Sequence, residues 1–301
     1  MDVHRAAAPV LVGFDGSPSA MHAVRWAAGE AERRRVPLRL VCAFGEATTW
    51  RPGDAGAGGE YRDVLLTSGN DGLARAAAAA ADEAPGIRVE RQAMPGEPIP
   101  RLTAESRTAQ LAVVGTRGLG GVTGLLAGSV SVALAAHAAC PVVVVRGPTA
   151  DAAPPAEGAV VVGVDGSPAS EAAVAFAYEA AAVRRAPLLA VHAWRDTLID
   201  PAWAPIFDWD AVEQEEEALL AERLAGWGQK YPDVEVIRLV ARDRPARVLV
   251  EHSATAQLLV VGSHGRGGLT GLVLGSVGHA VLHHAQCPVA VVRPEPGRVR
   301  P

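Results

Sequence analysis

Two glycine-rich stretches of this 301-residue chain have the composition of anion-binding loops. The first follows the apolar run Val113–Val114 and the second follows Val260–Val261. Each passes through a loop dense in glycine and ends in Gly-Ser before an alanine- or leucine-rich segment. Glycine lets backbone N–H groups approach an anion without a Cβ in the way, and a helix that begins at Gly-Ser adds its positive end and a hydroxyl. Both stretches are therefore predicted to bind phosphate groups.

The spacing excludes two familiar phosphate-binding motifs. No Gly-Lys-Ser/Thr follows either set of glycines, as a Walker loop requires, and Thr123 stands where a dinucleotide-binding fingerprint needs its third glycine. Both stretches instead fit the pattern Gly-x2-Gly-x9-Gly-Ser. The residues that fit it are Gly115, Gly118, Gly128 and Ser129 in the first copy, and Gly262, Gly265, Gly275 and Ser276 in the second. A single copy could also be a glycine-rich turn that binds no ligand. The second copy at the same spacing argues against this alternative.

This pattern resembles the ATP-binding branch of the universal stress protein family. The resemblance covers nearly the whole chain as two domains end to end, as in tandem members of actinobacterial type. It implies an adenine nucleotide in each domain, ATP with Mg²⁺. The candidate nucleotide-binding residues of the first copy are Gly13, Asp15, Ala43, Gly115, Thr116, Arg117, Gly118, Leu119, Gly120, Gly121, Gly128, Ser129, Val130 and Ser131. Those of the second copy are Gly163, Asp165, Ala193, Gly262, Ser263, His264, Gly265, Arg266, Gly267, Gly268, Gly275, Ser276, Val277 and Gly278.

The resemblance implies particular roles at the ends of the first strands. Asp15 and Asp165 occupy positions that contact the nucleoside in the family, in some members with a divalent metal nearby. The alternative for either aspartate is a turn carboxylate in front of a helix. Gly13 and Gly163 end the same strands and would let the backbone lie against the ligand.

Other positions add contacts of different kinds. Ala43 and Ala193 match family positions that contact adenine through the backbone, so the identity of their side chains carries no information. Arg117 in the first loop, and His264 with Arg266 in the second, could add positive charge near the phosphates. As residues at loop tips, they could equally be solvated.

An internal repeat divides the chain. The segment Val12–Pro18 returns as 162–168, so that Asp15 and Asp165 are 150 residues apart, whereas Gly115 and Gly262 are 147 apart. Two homologous domains in tandem explain both offsets, with a net loss of three residues in the second copy. The predicted domains are residues 1–148 and 159–301, joined by a linker over 149–158 that is rich in proline and small residues.

The order of apolar runs and helix signals predicts an α/β fold with two tandem, doubly wound, five-stranded parallel sheets. The strands are valine-rich without polar alternation, as expected when helices cover both sheet faces. In the first copy the predicted strands are 9–14, 37–44, 87–93, 111–114 and 142–145, and the helices are 18–35, a segment through Leu73 to about Ala84, 98–108 and 125–138, with a loop over 45–60. The resemblance implies the strand order 3-2-1-4-5 of the adenine nucleotide alpha hydrolase-like fold, which would bring Asp15 and Gly115 to one crevice.

Composition narrows the function classes. A formal net charge of −5 argues against a nucleic-acid-binding protein, which would normally be basic. No apolar run is long enough to cross a membrane, and no signal peptide precedes the first strand. Cys42, Cys140 and Cys287 do not form the pattern of a disulfide framework. We therefore expect a cytoplasmic protein with no nucleic-acid partner and no membrane insertion.

Two clusters of polar residues look like sites but have simpler explanations. His279 and His283 are one helical turn apart and His284 is adjacent, which is ligand-like spacing. No carboxylate or cysteine is placed to complete a metal centre, so none is predicted there. The acidic run Glu213–Glu217 is explained by a solvated helix face.

The sequence leaves three functional hypotheses. The first is an ATP-binding regulator or sensor in a stress or dormancy response; no catalytic residue is assigned, because the chain has no P-loop lysine and no evident base to activate water. The second is a slow ATPase or autophosphorylating protein with Ser129 or Ser276 as acceptor. The third is a partner-binding module whose nucleotide sites are empty. Because Ser131 is replaced by Gly278 in the second copy, the two sites need not bind equally well.

Partners follow from the predicted sheet edges. The fifth strands, 142–145 and 289–292, are apolar edge strands, and such edges are usually covered or paired. In the family this strand often pairs with its counterpart, which could occur within the tandem chain and leave other faces for self-association. We therefore expect a homodimer, together with a regulatory protein partner that the sequence does not identify.

Overall fold

The computed structural model describes residues 8–45, 57–116, 128–146, 158–194, 208–265 and 274–294; for residues 57–61 only the helical backbone is described. The chain divides into two compact units, Met1–Asp151 and Ala152–Pro301. Apart from Gly158, the predicted linker lies outside the described residues. The linker and the domain limits therefore stay predictions.

Strands and helices alternate in both units. The described elements of the first unit are β1 Val10–Gly13, α1 Pro18–Arg34, β2 Leu38–Phe44, α2 Ala57–Glu83, β3 Val89–Pro95, α3 Pro98–Glu105, β4 Leu111–Gly115, α4 Ser129–His137 and β5 Val142–Val145, with a 3₁₀ turn over Ser106–Thr108. Those of the second unit are β6 Val160–Gly163, α5 Pro168–Arg184, β7 Leu188–Ala193, α6 Trp209–Lys230, β8 Val236–Ala241, α7 Pro245–His252, β9 Leu258–Gly262, α8 Ser276–His284 and β10 Val289–Val292.

The strands of each unit are parallel and follow the predicted order. In the first unit the order is β3-β2-β1-β4-β5, and in the second it is β8-β7-β6-β9-β10. Val12 pairs with Leu40 on one side and with Val113 on the other, so β1 lies between β2 and β4. The chain thus reverses direction across the sheet between β1 and β4, and sheets of this type bind ligands at the carboxyl ends of the strands beside this point. The predicted α/β class is confirmed.

The local sequence explains where α1 and α5 begin and end. Ser17 Oγ accepts a hydrogen bond from Ala20 N at 3.1 Å, and a proline occupies the first turn, as predicted. Ser167 caps α5 in the same way. Both helices end in an arginine with a left-handed backbone, Arg35 and Arg185. These caps fix the start of each helix directly after the turn that follows the first strand.

Some predicted boundaries were wrong. The third strand lies at Val89–Pro95, two residues later than expected, and α2 already begins at Ala57, inside the predicted loop. The predicted helix over 98–108 ends at Glu105 and continues as a 3₁₀ turn. Helix α4 begins at Ser129, because Gly128 has an extended backbone with φ −78° and ψ 158° and acts as the N-cap. Residues 125–127, which were also predicted to be helical, lie outside the described residues.

None of the described helices is both long and apolar enough to cross a membrane.

A buried serine ties the end of one helix to the approach of the next strand in both units. Ser106 Oγ donates to Thr103 O at 2.7 Å and accepts from Ala139 N at 2.9 Å. Ser253 makes the same two contacts, with Val250 O and Gln286 N. Both serines are fully buried. Each serine therefore fixes the segment that leads into the fifth strand of its unit.

Replacement of this serine should destabilise either unit. Ser106→Ala and Ser253→Ala each remove two hydrogen bonds, so we expect the free energy of unfolding to fall by about 1 to 3 kcal/mol. Urea unfolding followed by circular dichroism measures the loss. The control is Thr67→Ala, since the exposed Thr67 hydroxyl bonds, among the described residues, to Asp63 O of its own helix. A loss no larger than that of the control would contradict the structural role of these serines.

Candidate functional site

A pocket opens in the second unit where the carboxyl ends of β6, β7 and β9 meet the start of α8. Its volume is about 340 Å³, within the range of roughly 300 to 1,000 Å³ that is usual for small-molecule sites. Ten of the predicted residues line it: Gly163, Asp165, Ala193, Gly262, His264, Gly265, Gly275, Ser276, Val277 and Gly278. Ser263 is buried and is not among the lining residues, and Arg266, Gly267 and Gly268 lie outside the described residues.

The turn after β6 directs a carboxylate towards the glycine loop. Asp165 Oδ1 accepts a hydrogen bond from Ser167 N at 2.9 Å, which is the turn role considered as the alternative. Asp165 N donates to Ser170 Oγ at 3.0 Å, so the backbone of the aspartate is also held. The other oxygen, Oδ2, lies 2.6 Å from the position that a Cβ on Gly265 would take. One carboxylate therefore serves both the turn and the pocket.

The two ends of the glycine loop are held together by backbone hydrogen bonds. Ser263 N donates to Val292 O at 2.8 Å, and Gly275 N donates to Ser263 O at 2.8 Å. Ser167 Oγ donates to His264 O at 3.3 Å, which attaches the loop to the cap of α5. These bonds place the first turn of α8 beside the end of β9.

The first turn of α8 is open to an anion. Gly275 has an extended backbone and offers no side chain to cap the helix, and Ser276 is exposed at the first helical position. The first N–H groups of a helix have no partner inside the helix and carry partial positive charge. His264 lines the same pocket, with its Nδ1 3.1 Å from Ser263 Oγ. This end of the pocket suits a phosphate.

Much of the remaining pocket lining is apolar, and it was not predicted from the sequence. The lining residues that were not predicted are Val164, Ser170, Val191, Pro245, Leu249 and Val261. Pro245 and Leu249 belong to α7, whose apolar residues fall on one face at helical spacing, and this amphipathic pattern was the available signal. The packing also explains Gly163, because a Cβ there would lie 3.1 Å from Leu249 Cδ1.

The first unit assembles the matching residues in the same way. Asp15 Oδ1 accepts from Ser17 N at 3.0 Å, and Gly128 N donates to Thr116 O at 2.6 Å. Ser131, which is buried, donates from Oγ to Gly128 O at 2.8 Å, so its hydroxyl supports the helix start. Of the first predicted set, Gly13, Ala43, Gly115, Ser129 and Val130 are also described, at strand ends and in α4. Arg117, Gly118, Leu119, Gly120 and Gly121 lie outside the described residues.

A cysteine lies near the carboxylate in the first unit. Burial raises the pKa of the Cys42 thiol, and the nearby negative charge of Asp15 raises it further. The thiol therefore stays protonated at neutral pH. Because the thiolate is the reactive form, Cys42 acts here as a small neutral neighbour of Asp15 and not as a nucleophile.

Comparison with known proteins decides the family. A sequence model of the universal stress protein family matches the chain twice, over residues 8–146 and 158–293. The chain belongs to the universal stress protein family. It is similar to the universal stress proteins Rv2623 and Rv2005c of Mycobacterium tuberculosis, with 44% and 43% identity over 290 and 289 residues. Each alignment covers 94% of this chain and 96% of the relative.

The fold of this universal stress protein is that of a solved family member. The crystal structure of a universal stress protein from Archaeoglobus fulgidus aligns with a TM-score of 0.71 and covers 98% of this chain and 99% of that one. The sequence identity is 18%, so this likeness concerns the fold. The two matches of the family model, and not this likeness, confirm the predicted family.

Histidine and acidic side chains do not combine into a metal centre in the described part of the chain, where no group of three or more potential ligands occurs. His279 and His283 instead stack on one helix face with ring centroids 6.4 Å apart. Chemically, the pocket of this universal stress protein offers an apolar wall, one carboxylate and a helix start. These features suit the binding of a ligand that has an apolar ring at one end and an anionic group at the other.

The glycine that ends β9 should not tolerate a side chain. A Cβ on Gly262 would lie 2.8 Å from Ala169 C and 2.9 Å from Ala169 O, and backbone at the start of α5 cannot move away cheaply. Gly262→Ala should therefore lower the free energy of unfolding by about 1 to 3 kcal/mol, measured by urea unfolding. Gly226→Ala is the control: beyond its own helix backbone, no atom of the described residues lies within 4 Å of that added Cβ, and the change should raise stability by about 0.5 to 1 kcal/mol. Equal effects of the two changes would refute the packing argument.

Proposed function

We propose that this universal stress protein binds an adenine nucleotide, ATP with Mg²⁺, in each of its two units and acts as a regulator of a stress or dormancy response. The observation that carries the proposal is the pocket of the second unit, whose volume is about 340 Å³. This pocket has both apolar lining residues and the open start of α8. A nucleotide has matching groups: a flat aromatic base, a sugar with hydroxyls, and an anionic chain.

Each part of the nucleotide has a partner of suitable chemistry in the second pocket. The base would lie among Val191, Ala193 and Leu249, which supply apolar surface and backbone hydrogen-bonding groups. Asp165 would accept hydrogen bonds from the ribose hydroxyls. The phosphates would bind the N–H groups of the glycine loop and of the first turn at Ser276. All 28 candidate residues named above keep this role as a proposal, with the first unit arranged in the same way.

The residues also fit a magnesium ion bound together with the nucleotide. Mg²⁺ usually takes one or two protein carboxylates and completes its shell with phosphate oxygens and water. Asp165 Oδ2, which faces Gly265, is a carboxylate oxygen on the loop side of the pocket. The ion would neutralise phosphate charge that the loop does not offset.

Binding rather than turnover is the proposed role. The lining of the second pocket contains one carboxylate and one histidine, and no lysine or arginine among its described residues. Such a lining can hold a nucleotide but supplies few groups to stabilise charge in phosphoryl transfer. A homodimer, a regulatory protein partner and a cytoplasmic location remain part of the proposal.

A carboxylate introduced into one loop should remove one nucleotide. Gly265→Asp adds a side chain whose Cβ would lie 2.6 Å from Asp165 Oδ2 and would displace that carboxylate. The new carboxylate also repels phosphate, at a cost of about 1 to 4 kcal/mol at 4 Å. Isothermal calorimetry with Mg-ATP should show two sites in the wild type and one in this variant. The matching change Gly118→Asp should remove the other site, and the double variant should bind no ATP.

The controls separate loss of binding from loss of structure and binding from turnover. Circular dichroism must show wild-type helix content in each variant. GTP should bind more weakly than ATP, and labelled ATP in a single-turnover assay should be recovered unchanged. Wild-type protein that releases no heat with millimolar ATP, or a double variant that still binds two nucleotides, would refute the proposed function.

A further inference from the structure

Helix α6 presents one face to the elements that form the second pocket. Trp209, Glu216 and Arg223 follow one another at seven-residue intervals, which places them on the same side of a helix. The ring of Trp209 stacks on Trp194, directly after pocket-lining Ala193, with centroids 6.1 Å apart. Arg242 lies over the Trp209 ring at 3.3 Å from its centroid. The first contact of this face therefore fixes the end of β7.

The second contact reaches the pocket wall through a buried histidine. His192 Nε2 lies 2.9 Å from Glu216 Oε2, and Nδ1 lies 2.7 Å from Val164 O. The side chain of His192 is 8% exposed. Val164, which accepts from the histidine, and Val191, which precedes it, both line the pocket. Glu216 thus holds two pocket-forming strands through one imidazole ring.

The hydrogen-bonding pattern fixes the protons of this pair. A carbonyl oxygen only accepts, so His192 Nδ1 carries a proton towards Val164 O. The short contact between Nε2 and the Glu216 carboxyl requires one more proton between them. Because both ring nitrogens of His192 are hydrogen-bonded, the ring is held in one orientation. The Val164 carbonyl is held with it.

The third contact holds the turn that carries the aspartate. The Arg223 guanidinium packs against Gly166, in the space that a Cβ there would fill, and its Nη1 lies 3.6 Å from Glu171 Oε1 in the first turn of α5. Gly166 follows Asp165 directly and has a left-handed backbone with φ +75°. Arg223 therefore supports the turn that presents the Asp165 carboxylate.

The described residues of the first unit do not form this set of contacts. Helices α2 and α6 end at Glu83 and Lys230, 147 residues apart, so Glu216 and Arg223 correspond to Gly69 and Ala76. The partner of Glu216 changes as well, since Cys42 stands in the place of His192. A Cβ on Gly69 would lie 3.6 Å from Cys42 Sγ, which confirms that these positions face each other. A Cβ on Gly16 would have no atom of the described residues within 4 Å.

We infer that α6 makes the second nucleotide pocket the tighter and more slowly exchanging of the two, with His192, Glu216 and Arg223 as its positioning residues. This inference rests on the proposed nucleotide binding and specifies its regulation. Groups that are fixed before the ligand arrives lose less freedom when it binds, and such gains appear mainly in the dissociation rate. The first site, where the described residues do not form these contacts, is the one that exchanges nucleotide and responds to its concentration.

The test replaces the pair His192 and Glu216 of the second unit by the residue types of Cys42 and Gly69 in the first. In a Gly118→Asp background, which isolates the second site, His192→Cys with Glu216→Gly installs the small pair that the first unit carries. Dissociation of a fluorescent ATP analogue with Mg²⁺, chased by excess ATP in a stopped-flow instrument, should become about tenfold faster. The first site, isolated by Gly265→Asp, should release the analogue at a similarly fast rate.

Single variants separate positioning from general stability. Glu216→Gln keeps a hydrogen bond to Nε2 through its amide N–H and should retain slow release, whereas Glu216→Ala and Arg223→Ala should accelerate it. If the variant with both His192→Cys and Glu216→Gly does not fold, as judged by thermal melting, the comparison of these single variants tests the inference. Unchanged release in folded Glu216→Ala, or equal release rates at the two wild-type sites, overturns the inference alone. Wild-type protein that binds no analogue overturns the proposed function and the inference together.

Discussion

The close approach of a strand end to a helix start is the constraint on which each unit depends. Gly115 and Gly262 end their strands against the backbone of Ser19 and Ala169, at distances that leave no room for a Cβ. This contact sets the end of the fourth strand beside the turn that carries the aspartate. Because the glycine loop leaves from the same point, the carboxylate and the loop must lie near each other. The pocket is therefore a consequence of packing between the sheet and one helix.

The two units show how one fold can carry two different supports for the same site. Sheet order, helix caps and the buried serine behind the fifth strand are repeated almost unchanged. The helix after the second strand differs between the units. In the first unit Gly69 of this helix faces Cys42 of the strand, and in the second unit Glu216 faces His192. Both pairs fill the same position, one with small side chains and the other with a hydrogen-bonded pair. Neither His192 nor Glu216 is among the described residues that line the pocket, so this difference lies behind the lining.

The chemistry of the pocket follows from what the fold leaves available. Parallel strands covered on both faces are built from valine and alanine, so their ends supply apolar surface and backbone groups. Polar chemistry comes from the connections: a carboxylate in the turn and N–H groups at the start of α8. Charged side chains such as Arg223 lie behind the turn and act on it indirectly. The pocket of the second unit therefore combines apolar surface with one carboxylate and a helix start.

The sequence by itself determined the family, the repeat, the fold class and the set of glycines and aspartates at the strand ends, because these features depend on local spacing and on backbone conformation. The boundary at Ser129 and the start of α2 were misjudged, since caps and extended glycines compete with helix periodicity over a few residues. Only the tertiary structure revealed the apolar wall from α7 and the pairing of His192 with Glu216. Those contacts join residues that are 24 or more positions apart, and no local pattern records which side chains the packing of helices on a sheet brings together.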